Sequence, residues 1–154
     1  MRAADEIVIR EYEMADEDFV ARLAEDAFGE YTSQPVTHTL TIVRTLATLI
    51  ALRGKRRIGF FSADVGRGET ANLQAIAVVE SERGHGVGRR LIQEFEQLAR
   101  RRGARRLSLS TADSNVAALD LFLKRGFKLE RRRARFYPRG QNACILVKEL
   151  QPSP

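Results

Sequence analysis

The segment that most restricts the fold runs from Gln74 to Ala99. Gln74-Ala75-Ile76-Ala77-Val78-Val79 is an uncharged run of strand length, and Leu73–Val79 as a whole is expected to form a central strand. A polar connection, Glu80–His85, leads into Arg83-Gly84-His85-Gly86-Val87-Gly88. From Gly86 onward Leu91, Ile92, Phe95, Leu98 and Ala99 recur at helical spacing. A strand, a glycine turn and an amphipathic helix in this order place several backbone N–H groups and the positive end of a helix dipole around one point. That arrangement suits a pyrophosphate. Two common nucleotide motifs do not fit. The dinucleotide fingerprint needs a glycine three residues after Gly86, where Arg89 stands, and a Walker loop needs Lys and Ser or Thr after its last glycine.

The flanking pattern is that of a mixed sheet with helices. Ile7–Arg10 is a short strand, and Asp16 is placed to cap a helix through Phe19, Leu23 and Ala27. Within 29–51, the spacing of Ile42, Leu46, Leu49 and Ile50 predicts a second helix followed by strand pairing. Thr48–Leu52 and Arg57–Asp64 form a hairpin about Gly54, and Val65–Asn72, with Gly66 and Gly68, closes the second strand. Beyond the Gly103 stop, Leu107 and Leu109 alternate with Ser108 and Ser110. Ser114 or Asn115 caps a short helix containing Ala118, Leu119, Phe122 and Leu123 that stops near Gly126. Phe127–Arg135 and Ala143–Leu150 supply two final strands about a Pro138–Gln141 turn. The length of 154 residues predicts one domain over 1–150, with 151–154 a loose, proline-containing tail.

Composition removes several function classes. The formal charge of +6 is concentrated in two groups, Arg100, Arg101, Arg102, Arg105 and Arg106, and Arg131, Arg132, Arg133 and Arg135. No cysteine-histidine finger, aromatic RNA-binding signature or basic helix joined to heptads accompanies them, so a nucleic-acid partner is not expected. Cys144 is the single cysteine and lies in an apolar run, which predicts a buried thiol; with His38 and His85 as the two histidines, no metal site is expected. Neither a signal segment nor an apolar stretch of membrane-spanning length is present, and the expected location is the cytoplasm. Val36–Leu52 or the final strands offer surfaces for a homodimer.

The chain resembles the GNAT, or general N-acetyltransferase, superfamily. Arg83, Gly86 and Gly88 meet the family's cofactor loop, although Glu80 stands where members often carry Pro. Asn115, Ala118 and Phe122, then Gly126-Phe127 entering the next strand, meet its second motif. The resemblance implies an α/β fold with a mixed, mainly antiparallel central sheet, splayed between two parallel strands and flanked by helices. It implies acetyl-CoA as acyl donor. Main-chain groups of Ile76, Ala77 and Val78 would pair with the pantetheine arm, and Arg83, Gly84, His85, Gly86, Val87 and Gly88 would cradle the pyrophosphate. Asn115 would contact the cofactor and Phe122 would pack along the thioester end.

The implied reaction is direct transfer of an acetyl group to a primary amine, which requires a neutral amine, a proton route and protonation of the leaving thiolate. Phe122 stands where many members carry a tyrosine acid and has no hydroxyl, so it reads equally as helix core. Phe136-Tyr137-Pro138 before the final strand resembles the C-terminal segment of ribosomal-protein N-terminal alanine acetyltransferases, which makes Tyr137 the candidate acid. Those relatives place a Glu base where this chain has Ser110, so a water chain is an alternative. Glu25, Glu30, Tyr31 and His38 fall in the acceptor-side wall, with Glu30 and Tyr31 the preferred pair. The acceptor is a protein or peptide N-terminus, or else a small amine. The alternative function is an acyl-CoA-binding regulatory module with weak or no transfer.

Overall fold

A computed structural model describes residues 6–66 and 68–151, so residues 152–154 of the expected tail lie outside the described residues. Seven strands, β1 (Ile7–Glu11), β2 (Ala47–Arg53), β3 (Arg56–Asp64), β4 (Thr70–Val78), β5 (Arg106–Ala112), β6 (Lys128–Arg133) and β7 (Ala143–Glu149), form one sheet. Its order is β1-β2-β3-β4-β5-β7-β6, and every neighbouring pair is antiparallel except β4 and β5. The helices α1 (Glu17–Phe28), α2 (Val36–Thr45), α3 (Val87–Arg101) and α4 (Val116–Lys124) cover it.

The two faces have separate cores. On one face α3 buries Val87, Leu91, Ile92, Phe95, Leu98 and Ala99, the stripe its period dictates. Phe95 meets Phe61 of β3 edge to face at 6.0 Å. Each such buried side chain contributes about 1.5–3 kcal/mol. Leu107 and Leu109 of β5 and Phe122 of α4 join this layer, as does Cys144, which is buried as its apolar run predicts. On the other face Val20, Leu23 and Ala24 of α1 and Val43 of α2 pack on Ile50, Phe60 and Ala77.

Several expected boundaries shift. The central strand begins at Thr70 rather than Leu73, because its residues already pair with β5 from Thr70↔Arg106 onward. The strand expected over 127–135 is Lys128–Arg133, ending where Arg135 enters the left-handed region at φ 53°. Asp16 stands at the head of α1 but makes no side-chain cap bond. It is fully buried and takes Arg10 Nη1 at 2.8 Å, Arg57 Nε at 2.6 Å and the Glu13 N–H at 2.8 Å, tying α1 to β1 and β3. These donors hold its carboxyl well below the usual carboxylate range, Arg10 contributing most.

Candidate active site

The site begins where β4 and β5 part. Their parallel pairing runs from Thr70↔Arg106 to Leu73↔Leu109 and then stops. Beyond it β4 continues to Val78 against β3, while β5 continues to Ala112 against β7. The split coincides with a bulge: Leu73 faces Ala63 and Ala75 faces Ser62, leaving Gln74 without an opposite residue. An extra residue bends its strand. The edge of residues 74–78 that turns toward β5 therefore has no strand partner, leaving its backbone groups open to a ligand.

At the end of this edge the chain makes a 3-10 turn, Glu80–Glu82, and then the glycine turn. Gly84 has φ 78° and Gly86 φ 85°, left-handed conformations that an L side chain resists. Gly86 is the N-cap of α3, so the first N–H groups of a fifteen-residue helix open toward the cleft. The connection expected to be merely polar contains a buried carboxylate. Glu82 accepts from Arg53 Nη2 at 3.1 Å and is also paired with Arg56, which anchors the turn to the β2–β3 hairpin. Arg53 is the main cause that lowers its pKa. No local signal marked Glu82, because its partners lie far away in sequence. Arg83 donates Nε to the Val78 carbonyl at 3.2 Å and closes the turn against the strand end.

A cleft of about 940 Å³ joins these parts. Ile76, Ala77, Val78, Arg83, Gly84, His85, Gly86 and Gly88 line it from one side, Asn115 and Phe122 from the other. Of the expected cofactor residues, Val87 alone is not in the wall; its side chain is buried in the α3 core. Asn115 is the N-cap of α4, accepting from the Ala118 N–H at 3.2 Å. Phe122 is 3 % exposed and meets Phe127 edge to face at 5.6 Å, so it serves as core and as cleft wall together. Arg89 adds a further cation beside the turn.

A second pocket of about 460 Å³ opens on the α1/α2 side of the split. Asn72, Gln74, Ser108 and Ser110 form its floor, His38 and Thr39 its α2 wall, and Phe136 and Tyr137 its rim. Phe28 lines both cavities. Near it Tyr31, which lines the larger cleft, meets Tyr137 of the smaller one edge to face at 5.6 Å. Burial pushes both phenols above the usual tyrosine range. A tyrosine so shifted holds its proton at neutral pH. Ser110 is exposed and carries no base of its own. Glu30 is exposed too; its carboxylate lies 3.8 Å from Arg139, linking the α1–α2 and β6–β7 connections across the rim. Glu25 lines neither cavity.

Among the described residues no three His, Cys, Asp or Glu side chains converge as a metal site would require, and no helix is long and apolar enough to cross a membrane.

Comparison with known proteins decides the family. Residues 9–127 match the acetyltransferase (GNAT) family. The chain belongs to that family. N-alpha-acetyltransferase 30 of Schizosaccharomyces pombe, a curated relative, is 32 % identical over 100 residues, 62 % of this chain and 67 % of that protein. The ribosomal-protein-S18-alanine N-acetyltransferase of Escherichia coli superposes with a TM-score of 0.81 over 97 % of both chains at 21 % identity. An acetyltransferase of Bacillus subtilis, solved in complex with CoA, gives 0.83 over 95 % of this chain and 100 % of its own at 21 % identity. The GNAT fold, with its mostly antiparallel sheet flanked by helices, is thus shown, and GNAT membership supports acetyltransferase activity in general.

Proposed function

We propose that the protein transfers the acetyl group of acetyl-CoA to the N-terminal amine of a protein or peptide. The observation that carries this reading is the parted β4–β5 pair, with the glycine turn and the larger cleft on one side and, on the other, a pocket with no carboxylate among the described residues that line it. The pyrophosphate takes the N–H groups of the turn and the head of α3, and the pantetheine pairs along the open edge of Ile76–Val78. The thioester then lies at the split, where an amine entering from the second pocket attacks its carbonyl. The new C–N bond forms as the C–S bond breaks. Tyr137 supplies the proton to the departing sulfur, and the amine proton leaves through water in the pocket floored by Ser108 and Ser110, or toward Glu30 and Tyr31 in the wall of the adjoining cleft.

The acceptor class follows from charge. A polyamine or aminoglycoside carries several cations and needs closely placed carboxylates, and none stands among the described residues lining the second pocket. Asn72, Gln74, Thr39 and the serines can instead hydrogen-bond a peptide backbone. The curated relative, an N-alpha-acetyltransferase by name, and the S18-alanine enzyme agree with this class. A second reading, a CoA-binding module without efficient transfer, is favoured by Phe122, whose ring is built into the core and offers no hydroxyl. Incubation of the protein with acetyl-CoA and a mixed library of peptides and small amines, read by mass spectrometry, separates the two. Peptides acetylated at their N-termini support transfer; CoA binding without product supports the module.

A further inference from the structure

The cations of β6 are arranged by a bulge. Sequence alternation would put Leu129, Arg131 and Arg133 on one face of the strand. In the sheet Leu129 faces Leu146, Arg131 faces Ile145 and Arg133 faces Ala143, leaving Glu130 as the extra residue. Glu130 is pinned there by Arg106 of β5, whose Nε also lies 3.2 Å from Glu149. The phase of the strand therefore reverses at Glu130. Residues directly opposite in an antiparallel pair share a face. Through β7, Arg131 falls in the row of Ser110 and Ile145, Lys128 in that of Ser108 and Val147, and Arg133 in that of Ala112 and Ala143. Leu129 and Arg132 stay with Leu146 and Cys144 on the α3/α4 face.

Lys128, Arg131 and Arg133 thus stand on the face that floors the acceptor pocket, with Arg131 two strand spacings, about 10 Å, from Ser110. Arg133 reaches further inward. Its guanidinium lies 5.9 Å from the ring centre of Phe136, which is 49 % exposed and forms the pocket rim. Among the described residues none of these three cations has an ion pair, and nearby carboxylates are taken: Glu130 and Glu149 by Arg106, Glu30 by Arg139. All six residues of β6 are exposed. Guarding an edge strand against pairing needs charge but no choice of face. Here a bulge sends unpaired cations to the face that continues the acceptor pocket.

We infer that this face is a docking track for an acidic stretch of the acceptor polypeptide, lying a few residues beyond the amine that is acetylated. The inference rests on the peptide-acceptor reading and extends it to the acceptor's downstream sequence. The experiment uses two synthetic peptides with the same first three residues, followed by Asp/Glu in one and Asn/Gln in the other. Acetylation rates and, separately, binding by fluorescence anisotropy in the presence of CoA are measured for the wild type and for Arg131→Gln/Arg133→Gln. The acidic peptide is expected to have a kcat/KM about tenfold higher at low salt, a preference that shrinks as salt screens the pairs and falls to about twofold or less in the variant. Acetylation of a three-residue peptide should be unchanged by the substitutions, which shows that the variant is folded and its chemistry intact. Equal rates for both peptides with the wild type, or a preference untouched in the variant, overturn the track. Acidic peptide that binds through the arginines yet is never acetylated upholds the track and defeats the acceptor reading instead.

Discussion

Replacing Gly86 by alanine isolates what the glycine turn contributes. Gly86 has φ 85° and ψ 3°, and a Cβ built on it meets nothing nearer than Arg89 Nη2 at 3.7 Å. There is room for the methyl group, so the whole penalty is conformational, about 1–2 kcal/mol for an L residue in the left-handed region. Two outcomes share that penalty. If the turn keeps its shape, the folded protein loses the full amount, and the melting temperature falls by about 2–4 °C per kcal/mol. If the turn relaxes to negative φ, stability is spared but the N–H groups no longer converge, and CoA affinity drops about 5–30-fold, at tenfold per 1.4 kcal/mol. Calorimetric titration with CoA and thermal unfolding of the same samples should give losses that sum to this range. Asn tolerates the left-handed region, so Gly86→Asn should lose less than Gly86→Ala. Gly88→Ala is the contrast: its φ is not left-handed, and its added Cβ would meet the mobile end of Leu121 at 3.0 Å. A helical Gly-to-Ala change favours folding by about 0.5–1 kcal/mol, which offsets that contact. Wild-type affinity and melting temperature in Gly86→Ala would refute the reasoning.

Three further expectations rest on the same geometry. Tyr137→Phe should lower kcat by about 100-fold or more with little change in CoA affinity, whereas Tyr31→Phe retains turnover; equal losses in the two variants would remove Tyr137 from the acid role. Because burial raises the Tyr137 pKa, the wild-type rate should hold past pH 10 and then fall as the phenol ionises, and Tyr137→Phe should lack that alkaline fall. Asp16→Asn should destabilise the fold by about 2–4 kcal/mol in denaturant titrations, since Arg10 and Arg57 lose their shared buried partner. The folded carboxyl is depressed below its unfolded value, so this stabilisation is complete above about pH 4 and is lost as pH falls beneath it; a variant with the wild-type acid-unfolding curve would contradict it.

The α3 stripe, the Leu107/Leu109 alternation and a cap at Ser114 or Asn115, which the structure gives to Asn115, were legible because each is fixed by residues a few positions apart. The glycine turn was legible for the same reason, and with it most of the residues that line the larger cleft. The acceptor side was legible only as single residues: His38, Ser110 and Tyr137 line the second pocket, but nothing local showed that they converge. Its pocket is assembled from α2, β4, β5 and the β6–β7 connection, segments separated by tens of residues, and its polar groups are ordinary Ser, Thr and Asn side chains. Two bulges, at Gln74 and Glu130, each reverse the facing of the later residues in their strand, and neither has a composition mark. Asp16 stands at the N-cap of α1 as its place before an apolar period suggests, but its carboxylate is taken by Arg10 and by Arg57, forty-one positions away, rather than by the helix N–H groups, which no local pattern shows.

The phosphate cradle carries the account, and amide resonances report on it most directly. On saturation with CoA, the backbone N–H signals of residues 83–88 and of 76–78 should shift together, while those of the β1–β2 edge stay still. Unshifted signals across 83–88, with the ligand perturbing another surface, would contradict it.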